Sequence, residues 1–307
     1  MKWIEGISPI SFPGLGIEIN PPEGIAIGAF SIQFYGVIIA LGLLLAVIYG
    51  LKRKEQFGLR EDDILDGVLG IVPFAIICAR AYYCIFAWEK EFAANPIEVL
   101  YIWNGGIAIY GGVIGAVIGV VVFSIIKKVK LGAVLDLVAL GFLIGQSVGR
   151  WGNFFNREAF GAETESFLRM GLMLTDSRMV TTAEHFYHPT FLYEALWNAA
   201  GFALLHFLSK KRQYDGQIAL GYVAWYGLGR TFIEGLRVDS LMLGNIRFSQ
   251  LLAAVSCFAA ATALVALAYV KHDKNKLFVN VVTQRQAEEV AAAEEATEEE
   301  ETQETEE

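Results

Sequence analysis

Charged and amide side chains crowd a short stretch that directly follows an apolar run. From Gly145 to Gly161 the chain carries two arginines, two asparagines and a glutamate among glycines and aromatic residues, including Arg150, Asn153 and Glu158. A simple helix end needs none of these groups. Arginine forks and asparagine amides bind phosphate or carboxylate groups, and glycine lets a backbone come close to a ligand or to another helix. The stretch therefore predicts an anion-handling site where an apolar run meets water.

Composition indicates that this site belongs to a membrane protein. Of the 307 residues 55% are hydrophobic, and the mean hydropathy is +0.45, well above the range of soluble domains. The net charge of -9 is misleading, because the stretch from 285 to 307 alone holds eleven glutamates and one arginine. We predict that residues 276–307 form a disordered, acidic cytoplasmic tail without an apolar face to bury.

Seven apolar runs are long enough to cross a bilayer, which takes roughly 20 residues in a helix. The sequence thus predicts an all-α, polytopic fold with seven transmembrane helices within a membrane domain of residues 1–275. The runs are at about Ile32–Leu51, Ile64–Ala87, Ile107–Ile126, Ala133–Val148, Thr190–Leu208, Gln217–Leu236 and Phe248–Val270.

Basic residues predict the orientation of these helices. Lysines and arginines cluster after the first, third, fifth and seventh runs, as in Lys52-Arg53-Lys54 and Lys210-Lys211-Arg212. Because cytoplasmic loops are enriched in Lys and Arg, we expect the N-terminus outside and the C-terminus in the cytoplasm. The long loop or small cap at 149–188 then lies outside the membrane, facing away from the cytoplasm.

Ionisable side chains also fall inside the predicted spans. Arg80, Arg230 and Glu234 are costly in a bilayer, at about 2.5–3.5 kcal/mol for an arginine at its centre, so each needs a partner or a purpose. Arg230 and Glu234 are four residues apart and share a helix face, which Arg237 continues. One interpretation is a buried ion pair that fixes the rotation of the helix. The other interpretation is a functional site that uses these charged side chains.

Depth favours a site. Counted from the outer helix ends at about 1.5 Å per residue, Arg80 and Arg230 lie roughly 10 Å in, and Tyr35 and Tyr110 roughly 5 Å in. The polar groups therefore collect in the outer half of the membrane, which suits the head group of a phospholipid whose acyl chains stay in the bilayer. His188-Pro189-Thr190 is typical of a helix entry with proline in the first turn. For Glu194, one turn further on, capping or pairing and lining of the chamber both remain open.

Six motifs in order resemble those of the bacterial prolipoprotein diacylglyceryl transferases. The strongest is Gly149-Arg150-Trp151-Gly152-Asn153-Phe154-Phe155-Asn156-Arg157-Glu158-Ala159-Phe160-Gly161. The others, spread with it over about residues 27–270, are Phe34-Tyr35-Gly36, Ala79-Arg80-Ala81-Tyr82-Tyr83, Trp103-Asn104-Gly105-Gly106-Ile107-Ala108-Ile109-Tyr110-Gly111-Gly112, His188-Pro189-Thr190-Phe191-Leu192-Tyr193-Glu194 and Gly229-Arg230-Thr231-Phe232-Ile233-Glu234-Gly235-Leu236-Arg237.

The resemblance implies an enzyme of the bacterial plasma (inner) membrane with its active site facing the outer leaflet. Such an enzyme moves the diacylglyceryl group of phosphatidylglycerol onto the lipobox cysteine of a prolipoprotein, which makes a thioether and releases glycerol phosphate. Catalytic roles are then expected for Arg150, Arg230, Glu234 and Tyr110. Tyr110 stands where some members have a histidine, and a tyrosine with a pKa near 10 is a poor base at neutral pH. Phosphatidylglycerol is expected to bind to Tyr35, Arg80, Arg150, Asn153, Glu158, Gly161, Arg237 and His188.

The expected partners are phosphatidylglycerol, prolipoprotein signal peptides with a lipobox cysteine, and the surrounding membrane lipid. We expect no metal, no soluble cofactor, no nucleic acid and a monomeric protein. A membrane transporter of an organic anion or lipid is the alternative, because it also needs intramembrane arginines. It predicts polar residues that continue to the cytoplasmic side, where the sequence has few.

Overall fold

The chain is mostly helical. The structure is a computed structural model that describes residues 2–28, 30–175, 179–238, 242–243 and 246–306, without the side chains of 104, 243 and 294–306. The predicted loop at 149–188 and the predicted tail therefore each include residues outside the described ones, namely 176–178 and 307. The α-helices are α1 (Phe34–Arg53), α2 (Glu61–Ala87), α3 (Ile109–Lys127), α4 (Leu131–Phe155), α5 (Thr190–Ser209), α6 (Gln217–Glu234), α7 (Phe248–Ala268) and α8 (Phe278–Glu306).

Six of these helices, α1 to α5 and α7, are long and apolar enough to cross a membrane, within the described part of the chain. All six coincide with predicted spans. The run predicted at Gln217–Leu236 is indeed a helix, α6, but its 18 residues include Gln217, Arg230 and Glu234 and it does not reach the same apolarity. The fourth span is longer than predicted, since α4 continues through Arg150 and Asn153 to Phe155.

Short strands were missing from the all-α prediction, which was wrong in this respect. A three-stranded antiparallel sheet joins β1 (Lys2–Ile4), β4 (Gly24–Ile27) and β5 (Phe30–Gln33). A four-stranded sheet has the order β3-β2-β6-β7, and β8 pairs with β9. Most of these strands have two to five residues, which is too short for a clear periodic signal, and the eight residues of β7 do not alternate between apolar and polar side chains. Their bounds are β2 (Ile10–Phe12), β3 (Ile17–Ile19), β6 (Met170–Leu174), β7 (Val180–Tyr187), β8 (Met242–Leu243) and β9 (Ile246–Arg247).

The four-stranded sheet gives the predicted cap a core of its own. Strands β6 and β7 come from the long loop, and β2 joins them from the N-terminal segment. Ile10, Leu172 and Tyr187 are fully buried, and the cluster extends to Phe154 at the end of α4 and Phe191 at the start of α5. The cap therefore holds the ends of two apolar helices together.

Arg157 connects the N-terminal segment to the end of α4 through hydrogen bonds. Its guanidinium is buried and donates to the carbonyl oxygens of Ser8, Phe155 and Pro21 at 2.6–2.7 Å. Burial lowers the pKa of this guanidinium, and Glu23, 3.7 Å away, partly compensates. A buried charge with so many acceptors stabilises one arrangement of the segment that leads into α1.

The chain divides into two compact units. The first comprises residues 1–49, 138–212 and 217–271, and the second residues 50–137, 213–216 and 272–307. In the first unit α1 packs closely on α4, where a Cβ added to Gly42 would lie 3.3 Å from the Cα of Gly145. Such close backbone approach is how helices associate in lipid, which offers no hydrophobic drive.

The second unit is built on α2 and α3. Gly111 and Gly115 of α3 face Cys78 and Ala79 of α2, where an added side chain would collide. The acidic segment, predicted to be disordered, continues as the helix α8, in which residues 283–293 are exposed. Its alanines and glutamates are strong helix formers, which accounts for a helix without an apolar face.

Candidate active site

Three helix ends of the first unit meet and bring their charged residues together. These are the last turns of α4, the first turns of α5 and the last turns of α6, which supply Arg150, Glu194 and Arg230. In sequence the three residues belong to three separate motifs. An antiparallel arrangement of neighbouring helices puts them at one level.

Glu194 lies at the centre of this cluster. Only 3% of the residue is exposed, and its carboxylate forms ion pairs with Arg150 Nη2 and Arg230 Nη1, each at 2.6 Å. Arg237 Nη1 approaches the same carboxylate at 3.9 Å. Sequence reasoning left the role of Glu194 open and did not include it among the site residues. The signal was an acidic residue one turn inside an apolar span.

Glu234 is the second buried carboxylate. It pairs with Arg230 one turn earlier on α6, so the predicted i, i+4 pair is confirmed. Arg237 Nε lies 4.0 Å from the same carboxylate. Arg230 is therefore held from two sides, by Glu194 and Glu234, which fixes its planar guanidinium in one orientation.

Among the described residues, these ion pairs connect three arginines, Arg150, Arg230 and Arg237, with two glutamates, Glu194 and Glu234. The carboxylates orient the guanidinium groups within a largely buried volume. Guanidinium forks held in this way are suited to binding a phosphate or another oxyanion.

A chain of hydrogen bonds extends the cluster along the end of α4. Arg150 Nη1 donates to Asn153 Oδ1 at 3.2 Å, and Asn153 Nδ2 donates to Glu158 Oε1 at 3.0 Å. The ring of Tyr35 packs on Gly152, where an added Cβ would lie 2.7 Å from Cδ2 of the tyrosine. Its phenol also interacts electrostatically with Glu158 and Arg150. The structure thus brings four of the predicted residues together around Gly152.

Gly161 has a packing role that the sequence did not show. Its amide donates to the carbonyl of His188 at 2.9 Å, and it forms an isolated β-bridge with Arg237. An added Cβ would lie 2.8 Å from His188 Cβ and 2.9 Å from the carbonyl oxygen of Leu236. Only glycine allows the three backbone segments to lie so close, and this contact carries Arg237 towards the cluster.

His188 is half-buried between the cap and the start of α5. Its Nδ1 lies 3.3 Å from the hydroxyl of Tyr193. Burial lowers the pKa of the imidazole, so the ring is neutral at pH 7. A neutral imidazole can exchange a hydrogen bond with a ligand but adds no positive charge to the cluster.

Arg80 and Tyr110 belong to the second unit. Arg80 uses all its N–H groups on carbonyl oxygens of the segment before α3: Nε donates to Val99 at 3.0 Å, and Nη1 to Gly105 and Gly106 at 2.6 and 2.9 Å. Its Nη2 donates to Glu98 and Tyr101 at 2.6 and 3.5 Å. These contacts organise the segment that leads to Tyr110, in the first turn of α3.

No metal centre is evident in the part of the chain that the structure describes, where no three His, Cys, Asp or Glu side chains are grouped to hold an ion. His185 instead pairs with Glu163 at 2.9 Å on the surface of the cap. The chemistry of the cluster is that of guanidinium forks held by carboxylates.

The apolar helices and the buried arginine–carboxylate cluster define a multi-pass membrane protein with a cationic site. The chain belongs to the prolipoprotein diacylglyceryl transferase family, whose model matches residues 22–266. The resemblance found in the motifs is thereby confirmed.

Several curated relatives share most of the chain. The phosphatidylglycerol–prolipoprotein diacylglyceryl transferase of Listeria monocytogenes serotype 4a is 44% identical over 242 residues, which are 78% of this chain and 87% of the relative. The protein of the same name from Limosilactobacillus reuteri is 41% identical over 263 residues, 84% and 90% of the two chains. That from Bacillus velezensis is 44% identical over 245 residues, 78% and 89% of the two chains.

Proposed function

We propose that this protein transfers the diacylglyceryl group of phosphatidylglycerol to the thiol of the lipobox cysteine of prolipoproteins. The family and the names of the relatives support this reaction. The observation that carries it within this chain is the cluster around Glu194, in which buried carboxylates orient the guanidinium groups of Arg150 and Arg230, groups that bind phosphate. Both substrates are chemically compatible with a cluster that lies at the ends of apolar helices.

The reaction needs a nucleophile and a stabilised leaving group. The cysteine thiolate attacks the carbon of the diacylglyceryl group that bears the phosphate. An S–C bond forms, the bond from this carbon to the phosphate oxygen breaks, and glycerol phosphate leaves with the bonding electrons. A thiol with a pKa of about 8.5 ionises more readily beside arginines. Arg150 and Arg230 then stabilise the charge that grows on the departing phosphate, and because two glutamates already orient Arg230, little reorganisation is needed.

The remaining groups bind and orient. Asn153, Glu158 and Tyr35 line the end of α4 and are suited to hydrogen bonds with the glycerol head group. Glu234 orients Arg230 or accepts the thiol proton. Tyr110 is proposed as a hydrogen-bond donor.

Four further residues belong to the proposed phosphatidylglycerol site. Arg237 supplies the third positive charge, and Gly161 and His188 hold its backbone in place. Arg80 contributes by fixing the segment before Tyr110.

The placement in the membrane follows from the same proposal. Helices α1 to α7 would all span the plasma membrane, α6 being stabilised by its neighbours despite its polar residues. Basic residues after α1, α3, α5 and α7 favour these ends on the cytoplasmic side, so the cluster would face the outer leaflet with the cap at 149–188 above it. A reporter that is active only in the cytoplasm, fused after residue 307, tests this orientation. The fusion should be active, and an inactive reporter would show that the C-terminus lies on the other side of the membrane.

A direct assay tests the reaction. Purified protein is mixed with phosphatidylglycerol and a synthetic peptide that carries a lipobox cysteine, and mass spectrometry detects the diacylglyceryl adduct and free glycerol phosphate. Arg230→Ala should abolish the adduct, and Arg230→Lys should lower it strongly because lysine keeps the charge but not the fork. Circular dichroism establishes that the variants are folded.

Arg169→Ala is the matched control, since Arg169 is a partly exposed arginine of the cap that donates to the carbonyl of Ser166. It should retain wild-type transfer. Full activity of Arg230→Ala would remove the phosphate role of this residue. Absence of an adduct with the wild type, under conditions in which a relative is active, would overturn the proposed reaction.

A further inference from the structure

A second, uncharged polar layer lies one helical turn further into the span than the ion pairs. We propose that this layer, formed by Gln146, Asn198 and Tyr222, binds the ester carbonyl groups of the lipid whose phosphate occupies the arginine cluster. The inference rests on the proposed function and deepens it, because it makes the ester linkage of the substrate a recognised feature.

Helix register puts the amides of this layer at one level. Gln146 precedes Arg150 by four residues on α4, and Asn198 follows Glu194 by four residues on α5. Because the two helices are antiparallel, the register that pairs Arg150 with Glu194 also places Gln146 opposite Asn198. The bond from Ser147 Oγ to the carbonyl of Ala195, at 2.9 Å, confirms that the helices touch at this level.

Helix α6 closes the same layer. The indole of Trp197 donates to the carbonyl of Trp225 at 3.0 Å, and the indole of Trp225 donates back to the carbonyl of Trp197 at 2.9 Å. This reciprocal contact fixes α5 against α6 next to Asn198. Tyr222, which lies two turns before Arg230 on α6, accepts a hydrogen bond from Gln146 Nε2 at 3.0 Å and so joins the layer through this contact.

The amide of Asn198 has no partner. The residue is 1% exposed, and within the described part of the chain neither Nδ2 nor Oδ1 forms a hydrogen bond. The Oε1 atom of Gln146 is also buried and unpartnered there. Buried amides are rarely left so, because each unmet group loses its hydration without compensation. In either orientation of the Asn198 amide, its NH₂ group has no acceptor among the described residues.

The unpartnered NH₂ group of Asn198 matches the ester carbonyls of the lipid in chemistry and in depth. In a diacylglyceryl lipid the ester carbonyls lie a few bonds from the carbon that bears the phosphate, on the side of the acyl chains. Along α5, Glu194 lies about 6 Å from the first residue of the helix and Asn198 about 12 Å. The charged layer and the amide layer therefore follow each other in the same order as the phosphate and the esters of the lipid. Ester oxygens are neutral acceptors, and the unpartnered Nδ2 of Asn198 is a neutral donor; the Oε1 of Gln146 is an acceptor and is not assigned to the ester.

A comparison of two lipids tests the inference. Transfer to the lipobox peptide is measured with ester-linked phosphatidylglycerol and with its ether-linked dialkyl analogue, which lacks the carbonyl oxygens. We expect the wild type to prefer the ester lipid in kcat/KM by about tenfold, the value of one hydrogen bond of ordinary strength. Asn198→Leu should bring this ratio close to one. If that variant does not fold, Asn198→Ala carries the same measurement.

Gln250→Leu is the matched control. Gln250 is a partly buried amide on α7 whose Nε2 donates to the carbonyl of Thr231 at 2.9 Å, so this substitution also removes an amide but should keep the wild-type ratio. Thermal unfolding gives an independent readout, because Asn198→Leu should raise the midpoint of the lipid-free protein by removing an unpartnered amide.

The outcomes are distinguishable. If the wild type modifies the peptide with neither lipid, the proposed function fails. Equal transfer from both lipids by the wild type overturns the ester layer alone, as does an ester preference that survives in Asn198→Leu. A lower unfolding midpoint with equal losses on both lipids would make Asn198 a structural residue.

Discussion

Replacing Glu194 by glutamine tests whether one buried carboxylate organises the whole cluster. The substitution keeps the size of the side chain and removes its charge. Glutamine can still accept a hydrogen bond from Arg230 through its carbonyl oxygen, but its NH₂ group would then face Arg150, which cannot accept one.

The magnitude follows from the two contacts of 2.6 Å. Removing one partner of a buried ion pair typically destabilises a protein by 3–5 kcal/mol. The side chains of Arg150 and Arg230 are 22% and 17% exposed, so water compensates in part and the lower end applies. We expect the free energy of unfolding to fall by about 3 kcal/mol. If the lost orientation of the two arginines raises the free energy of the transition state by the same amount, kcat/KM falls by about 10²-fold.

The measurements are thermal unfolding in detergent and transfer kinetics with phosphatidylglycerol and the lipobox peptide. Glu163→Gln is the control, because Glu163 forms an exposed ion pair with His185 on the cap, where such pairs contribute about 0–1 kcal/mol. The reasoning is refuted if Glu194→Gln loses no more stability or activity than this control.

Two further predictions concern residues outside the ion pairs. Arg80→Lys leaves one nitrogen where three now donate, so hydrogen exchange of residues 98–106 should accelerate; unchanged exchange would show that these contacts do not hold the segment. Burial lowers the pKa of His188 in the folded protein below the unfolded value near 6.5. The neutral imidazole therefore stabilises the folded state fully above pH 6.5, and this stabilisation is lost as the pH falls through the folded-state pKa. The thermal midpoint of His188→Gln should therefore fall less steeply than that of the wild type on acidification, and parallel curves would contradict this.

Much of the helical framework was predictable because it depends on local composition. Apolar runs located all seven helices of the predicted spans to within a few residues, except at the end of α4, where charged residues continue the helix to Phe155. The pair Arg230 and Glu234 was also predictable, because a spacing of four residues determines a shared helix face without reference to the rest of the chain.

The central role of Glu194 required the tertiary structure. Its partners come from α4 and α6, and no local spacing relates α5 to either helix. The same holds for Gly161, whose need for glycine arises only where three distant backbone segments touch. It holds also for the pairing of β2 with β6, which joins residues as far apart as Ser11 and Gly171.

The sequence by itself therefore determined a membrane protein with helices, a set of ionisable residues within them and, through its motifs, the family. The tertiary structure decided which carboxylate holds which arginine, and that Arg80 binds carbonyl oxygens of its own unit. The physical reason is that helix formation and membrane insertion are properties of consecutive residues. Ion pairing depends on distances of a few ångströms between segments that the chain order leaves undefined.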